Sequence, residues 1–204
     1  MTLMNSMVSR IPDLGDVAIY DDIVPVDLQR SILKLVRRPI WAYGWKSVKA
    51  ANRFCFWHAH FAGGEEDSRA SCEDELAGNA LAAPVHELWK LLSANILKGH
   101  EPMRVYANGH TYGVEGYVHT DSTDEQNYFT TIYYAHAAWE PDWAGETVFF
   151  HWGSDDISKA VNPKPGRVVQ FRGATAHAAR SPSRDCPELR ICVVFKTQLS
   201  SKTV

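Results

Sequence analysis

Residues 103–121 have the sequence MRVYANGHTYGVEGYVHTD and end in the tripeptide His119-Thr120-Asp121. In an extended strand, side chains two residues apart point to the same face of the sheet. The imidazole of His119 and the carboxylate of Asp121 can therefore reach one point in space. An imidazole and a carboxylate at this spacing predict two ligands of a single metal ion.

A third ligand has to come from elsewhere in the chain, and His177 in the segment GATAHAAR is the best candidate. Two histidines and one carboxylate on one face of a metal form the facial triad of non-haem Fe(II) oxygenases. The pair His58 and His60 could also bind a metal, but no third ligand lies close in sequence. We therefore interpret that pair as lining a pocket or hydrogen-bonding in the core. Four further histidines are interpreted as structural: His100, His110, His136 and His151.

The composition is that of a globular protein and excludes several function classes. The 204 residues include 45% hydrophobic and 22% charged residues, which suits one domain with a sizeable core. A net charge of -3 and the lack of a basic run argue against a nucleic-acid partner. No apolar stretch is long enough to span a membrane, and the N-terminus lacks the apolar core of a signal peptide. The four scattered cysteines predict reduced thiols in a cytoplasmic protein.

Helical spacing in the first half gives way to strands in the second. A helix is predicted from Pro25, with Asp27 as its N-cap, to Arg37-Arg38-Pro39, and a second one over residues 84–99. Residues 63–80 are interpreted as a loop. Strands are predicted at 16–20, 53–61, 103–107, 117–121, 128–136, 146–150, 167–171 and 190–197. In strand 53–61, the apolar face of Trp57, Ala59 and Phe61 is expected to face the core.

This pattern predicts a mainly β protein: an antiparallel barrel of two sheets with helices packed on one side. The chain is interpreted as one domain. Its predicted parts are a flexible arm (1–10), an N-terminal support of helices and strands (11–100), a catalytic β core (101–198) and a short tail (199–204).

Residues 103–197 resemble the 2-oxoglutarate- and Fe(II)-dependent dioxygenases, in particular the prolyl-4-hydroxylase-like branch. The resemblance is carried by an ordered series of motifs rather than by any one of them. The series comprises Tyr106 and Gly109, His119-Thr120-Asp121, the strand 131–134, Gly145-Glu146, Pro163 to Gly166, His177 and Arg190. One departure is Ala144, which stands where the family usually has the first glycine of a Gly-Gly-Glu turn.

The resemblance implies a double-stranded β-helix, or jelly roll, and the cofactors Fe(II), 2-oxoglutarate and O2. It implies that His119, Asp121 and His177 bind the metal. Arg190 would bind the far carboxylate of 2-oxoglutarate, because its planar fork can form two hydrogen bonds. Arg180 and Lys196 are alternative anchors, and Tyr134 and Tyr106 are candidate hydroxyl partners. Asp121 disfavours a halogenase, which has a small residue in place of the carboxylate.

The expected reaction hydroxylates an unactivated C–H bond of a small molecule, such as an amino acid derivative or natural-product intermediate, and releases succinate and CO2. Candidate substrate residues are Trp57, His60, Tyr112, Tyr117, Trp139, Trp152 and Arg180. One alternative is a peptidyl-prolyl hydroxylase, which should have an open groove beside the iron and a mobile loop, at 122–127 or 63–80, over it. The other is a non-catalytic barrel that binds a metal or a sugar.

Overall fold

A computed structural model describes residues 16–48, 53–64 and 70–200. The predicted arm (1–10) and residues 201–204 of the predicted tail lie outside these ranges. No helix within them is both long and apolar enough to cross a membrane.

Two antiparallel sheets face each other. The large sheet has seven strands: β1 (Val17–Tyr20), β2 (Ala42–Trp45), β3 (Phe56–Gly63), β4 (His100–His110), β5 (Tyr128–Tyr134), β8 (Val168–Arg172) and β10 (Arg190–Leu199). Its spatial order is β1-β8-β5-β10-β4-β3-β2. The small sheet has three strands, β6 (Thr147–Phe150), β7 (Ile157–Val161) and β9 (His177–Ala179), in the order β7-β6-β9.

The outer face of the large sheet packs against helices. These are α1 (Val26–Val36), α2 (Glu73–Gly78) and α3 (Ala83–Asn95), with two 3-10 turns at Ala80–Ala82 and Pro141–Trp143. Leu88 and Trp89 of α3 belong to the same buried cluster as Val105 and Phe195 of the sheet. The rings of Trp89 and Phe195 lie 5.9 Å apart. Burial of this apolar area is the main source of stability for such a layer.

The inner face of the large sheet forms the barrel interior. Alternate residues of β4, β5 and β10 turn inward, so that Tyr106, Ile132 and Val194 share a buried cluster with Phe149 of the small sheet. Cys192 pairs across the sheet with Asn108 on one side and Tyr134 on the other. Arg190, Cys192 and Val194 therefore point into the barrel interior.

The helix boundaries correct the sequence interpretation at three points. Asp27 is not the N-cap, because α1 begins at Val26 after Pro25 and has no side-chain cap. The second predicted helix, α3, ends at Asn95, four residues before Gly99, and the φ of 78° at Gly99 turns the chain toward β4. The predicted loop 63–80 contains the short helix α2.

The strands were predicted less completely. Residues 117–121 are not a strand but form one isolated bridge, between His119 and His177. The strands β2, β7 and β9 were not predicted. Both faces of β3 are buried: Phe56 and His58 on the barrel side, Ala59 and Phe61 on the helix side, while Trp57 is 36% exposed. Ala59 and Phe61 of the apolar face meet the core as expected, but Trp57 of the same face does not.

Candidate metal centre

The two motif histidines are brought together by backbone pairing. The His119 amide donates to the His177 carbonyl and the His177 amide to the His119 carbonyl, both at 3.0 Å. This pairing adds the H-x-D segment to the edge of the small sheet beside β9. The Asp121 amide donates to the carbonyl of Gly173 at 2.7 Å, which fixes the other end of the motif. Consequently the two imidazole rings lie on the same side, with their centroids 4.5 Å apart.

One ligand atom each from His119, Asp121 and His177 lie within 4.8 Å of one another. Nε2 of His119 is 3.4 Å from Oδ1 of Asp121, and Nε2 of His177 is 3.5 Å from Oδ2. The Nδ1 atoms lie 2.7 Å from the Tyr117 carbonyl and 2.9 Å from the Thr175 carbonyl. A carbonyl can only accept, so each Nδ1 carries a proton and each ring turns its Nε2 toward the other ligands. This donor set fits a divalent transition metal.

The protonation states also suit metal binding. Burial lowers the pKa of His177 to about 3, so its ring is neutral near pH 7. Burial alone raises the pKa of Asp121, but the ammonium of Lys196 and the two histidines hold it well below its usual value. The carboxyl is therefore ionised, as a metal ligand must be.

A buried cation contacts the carboxylate ligand directly. The ammonium of Lys196, from β10, touches Oδ2 of Asp121 and donates to Oγ1 of Thr130 at 3.1 Å. Thr130 in turn donates to the same Oδ2 at 2.6 Å. Lys196 is only 6% exposed. Oδ2 thus has two hydrogen-bond donors, and Oδ1 is the oxygen left toward His119.

A second buried cation, Arg190, lies in the same cavity. Its side chain is 1% exposed, with Nε donating to the Gly145 carbonyl at 2.5 Å and Nη2 to Oγ1 of Thr147 at 2.8 Å. Nη1 is buried and has no partner among the described residues. Tyr134 Oη lies 2.6 Å from the same Thr147 oxygen. Because burial raises the pKa of Tyr134, that group remains a neutral hydroxyl. A buried, unpaired guanidinium N–H fits a bound oxyanion.

The metal trio and Arg190 line one cavity of about 50 Å³. Its wall includes Tyr106, Ile132 and Val194, and burial raises the pKa of Tyr106 well above its usual value. Of the two alternative anchors, Arg180 is half-exposed and lies 3.9 Å from Glu115. Lys196 is paired with Asp121. Its contact with a metal ligand was not predicted; the signal available in the sequence was a lysine among the apolar residues of β10.

The predicted substrate residues are not brought together. None of the seven lines the metal cavity. His60 is exposed on the barrel side of β3, opposite Tyr106. Trp139 packs on His136, with ring centroids 4.2 Å apart. The others are placed as follows: Trp57 lies against Tyr43, Tyr112 lies under Arg184, Tyr117 accepts from His119 through its carbonyl, Arg180 lies near Glu115, and Trp152 is 64% exposed.

A wider groove of about 560 Å³ lies behind the ligand segments. Its lining includes Val118, Thr120, Trp152 and Ala176. Val118, Thr120 and Ala176 alternate with the ligands along the paired segments, so they face the opposite side from His119 and His177.

Residues 103–195 match the family model described as the 2OG-Fe(II) oxygenase superfamily. The chain thus carries a 2OG-Fe(II) oxygenase superfamily domain over these residues. It is a 2-oxoglutarate-dependent dioxygenase, and the family uses Fe(II), 2-oxoglutarate and O2. The alternative of a non-catalytic barrel is set aside accordingly. No curated protein sequence matches the chain.

Solved structures of this superfamily share the fold. A 2OG-Fe(II) oxygenase family oxidoreductase from Burkholderia pseudomallei aligns with a TM-score of 0.68 at 13% identity, covering 89% of this chain and 84% of that one. A Pseudomonas putida prolyl-4-hydroxylase gives 0.59 at 17% identity, covering 89% and 91%. A Trichoplax adhaerens prolyl hydroxylase, in complex with a hypoxia inducible factor peptide fragment, gives 0.60 at 14%, covering 91% and 84%. The predicted double-stranded β-helix with helices on one sheet is confirmed.

Proposed function

We propose that this 2OG-Fe(II) oxygenase hydroxylates a small molecule, using iron held by His119, Asp121 and His177. The observation that carries the metal assignment is the convergence of two Nε2 atoms and one ionised carboxylate within 4.8 Å. When bound, Fe(II) and 2-oxoglutarate supply the oxidising chemistry that no side chain provides. The chain's own residues bind, orient and shield the reacting groups.

Arg190 is proposed to bind the far carboxylate of 2-oxoglutarate. Its unpaired Nη1, together with Nη2, presents a planar pair of donors inside the cavity. Thr147 and Tyr134 supply hydroxyl groups beside it. The ion pair between the Arg190 guanidinium and this carboxylate would be buried. Because little solvent screens a buried ion pair, it is strong enough to fix the orientation of the cosubstrate.

The low exposure of the metal ligands supports a small-molecule substrate. The side chains of His119 and Asp121 are 15% and 10% exposed, and the cavity beside them is narrow. The wide groove lies on the opposite side of the ligand segments, so it does not offer a peptide to the metal directly. This arrangement favours a free small molecule that enters the barrel mouth.

A peptidyl-prolyl substrate is the second candidate. Val118 and Trp152, which line the wide groove, are 54% and 64% exposed, and exposed apolar side chains of this kind often bind partners. If a peptide bound there extends past the ligand segments to the metal, proline-containing peptides should stimulate succinate formation and Trp152→Ala should abolish that stimulation.

The central experiment measures succinate released from 2-oxoglutarate across a panel of amino acids, small metabolites and proline peptides. We expect iron-dependent release that is lost in His119→Ala and His177→Ala. His86→Ala, on helix α3, is the matched control and should retain turnover. Undiminished release in both ligand variants would rule out the proposed metal site.

Arg190→Lys tests the cosubstrate site separately. The ammonium keeps the charge but cannot form the bidentate pair, so we expect the KM for 2-oxoglutarate to rise about 10- to 100-fold. Arg172→Lys, at a cation–π contact with Phe129, is the control and should leave this KM unchanged. An unchanged KM in Arg190→Lys would contradict the assignment.

A further inference from the structure

Arg104 on β4 is held between two aromatic rings. Its guanidinium carbon lies 4.9 Å from the centroid of the Trp45 ring and 4.7 Å from that of Tyr106. Trp45 also stacks on His58, with centroids 4.1 Å apart and planes 10° from parallel. His58 is fixed in turn by Asn108, whose Oδ1 lies 2.9 Å from its Nδ1. Contacts of this kind restrict the orientation of the guanidinium.

The position of Arg104 connects it to the metal centre. It shares the inward face of β4 with Tyr106, Asn108 and His110, all of which line the metal cavity. Across the sheet its Cα pairs with that of Lys196, and the Lys196 ammonium contacts the ligand Asp121. Paired Cα atoms in antiparallel strands are about 5 Å apart. A single small molecule can therefore reach from Arg104 to the metal site.

The charges around Arg104 favour an anion. Among the residues that the structure describes, no carboxylate forms an ion pair with Arg104. Its side chain is partly exposed, and the exposed His60 lies nearby on β3. The carboxylate of Asp121 is paired with Lys196 and faces the metal position. A guanidinium with free donors next to residues that line a binding cavity is suited to a planar oxyanion.

We propose that Arg104 binds a carboxylate of the substrate, so that the substrate is a small carboxylic acid such as a free amino acid. This inference rests on the proposed function, since it assigns a substrate class to the same site. Two arginines then bind different acids: Arg190 the cosubstrate and Arg104 the substrate. Fixing the carboxylate at Arg104 would select which C–H bond of the substrate lies next to the metal.

The test compares carboxylic acids with their primary amides and methyl esters as stimulators of succinate release. In the wild-type enzyme we expect the acids to stimulate at least tenfold more strongly than the uncharged analogues. Arg104→Gln, which keeps a planar group without charge, should raise the KM for the acid at least tenfold and remove this discrimination. Arg104→Lys keeps the charge and should restore part of it. Arg172→Gln, another stacked arginine, should leave the discrimination unchanged.

The outcomes separate this inference from the proposed function. If wild-type enzyme turns over 2-oxoglutarate but is stimulated equally by amides, or by no acid, the carboxylate site is wrong while the oxygenase activity stands. Retained discrimination in Arg104→Gln would likewise show that Arg104 only packs against its aromatic neighbours. Absence of any iron-dependent 2-oxoglutarate turnover would instead remove the proposed function, and the inference with it.

Discussion

Lys196 shows how a single residue can tune a metal site without binding the metal. Its ammonium is buried against Asp121. Burial lowers the pKa of Lys196. The ion pair compensates both charged groups for the loss of their hydration. By occupying Oδ2 together with Thr130, it leaves Oδ1 toward His119. The same positive charge also repels an incoming metal cation. We therefore expect Lys196 to fix the orientation of the Asp121 carboxylate and, at the same time, to lower the affinity of the site for a metal cation.

Lys196→Met separates these two effects, because it keeps the length of the side chain and removes the charge. In the metal-free protein, Asp121 loses its counter-ion, so we expect the free energy of unfolding to fall by about 3 kcal/mol. The affinity for Co²⁺, measured by titration calorimetry, should rise about tenfold because the repulsion is gone. Thr130→Val, which removes a neutral donor, should change this affinity much less. A weaker Co²⁺ affinity in Lys196→Met would show that orientation by the ammonium outweighs repulsion.

At the scale of elements, the turn before β6 contains Ala144, which stands where the family usually has glycine, and this turn contacts Arg190. Ala144 has φ 53° and ψ -140°, a conformation that residues other than glycine rarely adopt. Its carbonyl accepts from Trp139 at 2.9 Å, and the carbonyl of the next residue, Gly145, accepts from Arg190. These bonds hold the alanine in its strained conformation. The turn thus positions Arg190, but the conformation of Ala144 adds strain energy that a glycine at position 144 would not have.

Ala144→Gly should therefore stabilise the protein by about 1 kcal/mol, the relieved strain exceeding the added entropy of the unfolded chain. Gly145→Ala is the opposite case. Gly145 has φ 82°, and a Cβ there would lie 3.0 Å from Trp139 Cζ2 and 3.3 Å from Arg190 Cδ. We expect it to destabilise the fold and weaken 2-oxoglutarate binding. Urea unfolding of both variants measures the signs; equal destabilisation would contradict the strain at Ala144.

The elements that the sequence predicted are those with a strong period of their own. Helix α3 and the long strand β10 bury residues at regular spacing and were predicted within a few residues. Strand β7 has four exposed residues in succession, and α2 is only six residues long. Neither element therefore shows a regular spacing of hydrophobic residues that would predict it. Such elements depend on pairing partners that local sequence does not specify.

The same limit applies to the site. The spacing of His119 and Asp121 predicted two neighbouring ligands, and the resemblance supplied His177 and Arg190. The contact of Lys196 with Thr130 depends on the register between β10 and β5, which a sequence does not give. The aromatic substrate candidates failed to converge because aromatic character alone does not tell which face of a strand a side chain occupies.

At the scale of the whole molecule, four buried histidines outside the metal motif tie stability to pH. Burial is the largest cause in each case, lowering the pKa of His58 and His100 to about 4 and that of His110 and His136 to about 3. In the unfolded chain a histidine has a pKa of about 6.5. Between these values the unfolded chain binds more protons than the folded one, so acid favours unfolding.

Stability should therefore be complete above about pH 6.5 and fall as the pH drops toward 4. At pH 5.5 the four histidines together cost roughly 5 to 6 kcal/mol. Urea unfolding of the metal-free protein at pH 7.5, 6.5 and 5.5 measures this slope. His100→Gln removes one titrating group, whose Nδ1 lies 3.0 Å from Thr197 Oγ1, and should reduce the slope by about a fifth, because His177 also titrates in the metal-free protein. The same substitution at His151, which is exposed, serves as control. Equal stability at pH 7.5 and 5.5 would mean that the buried histidines acquire partners for the extra proton, which the packing around them does not provide.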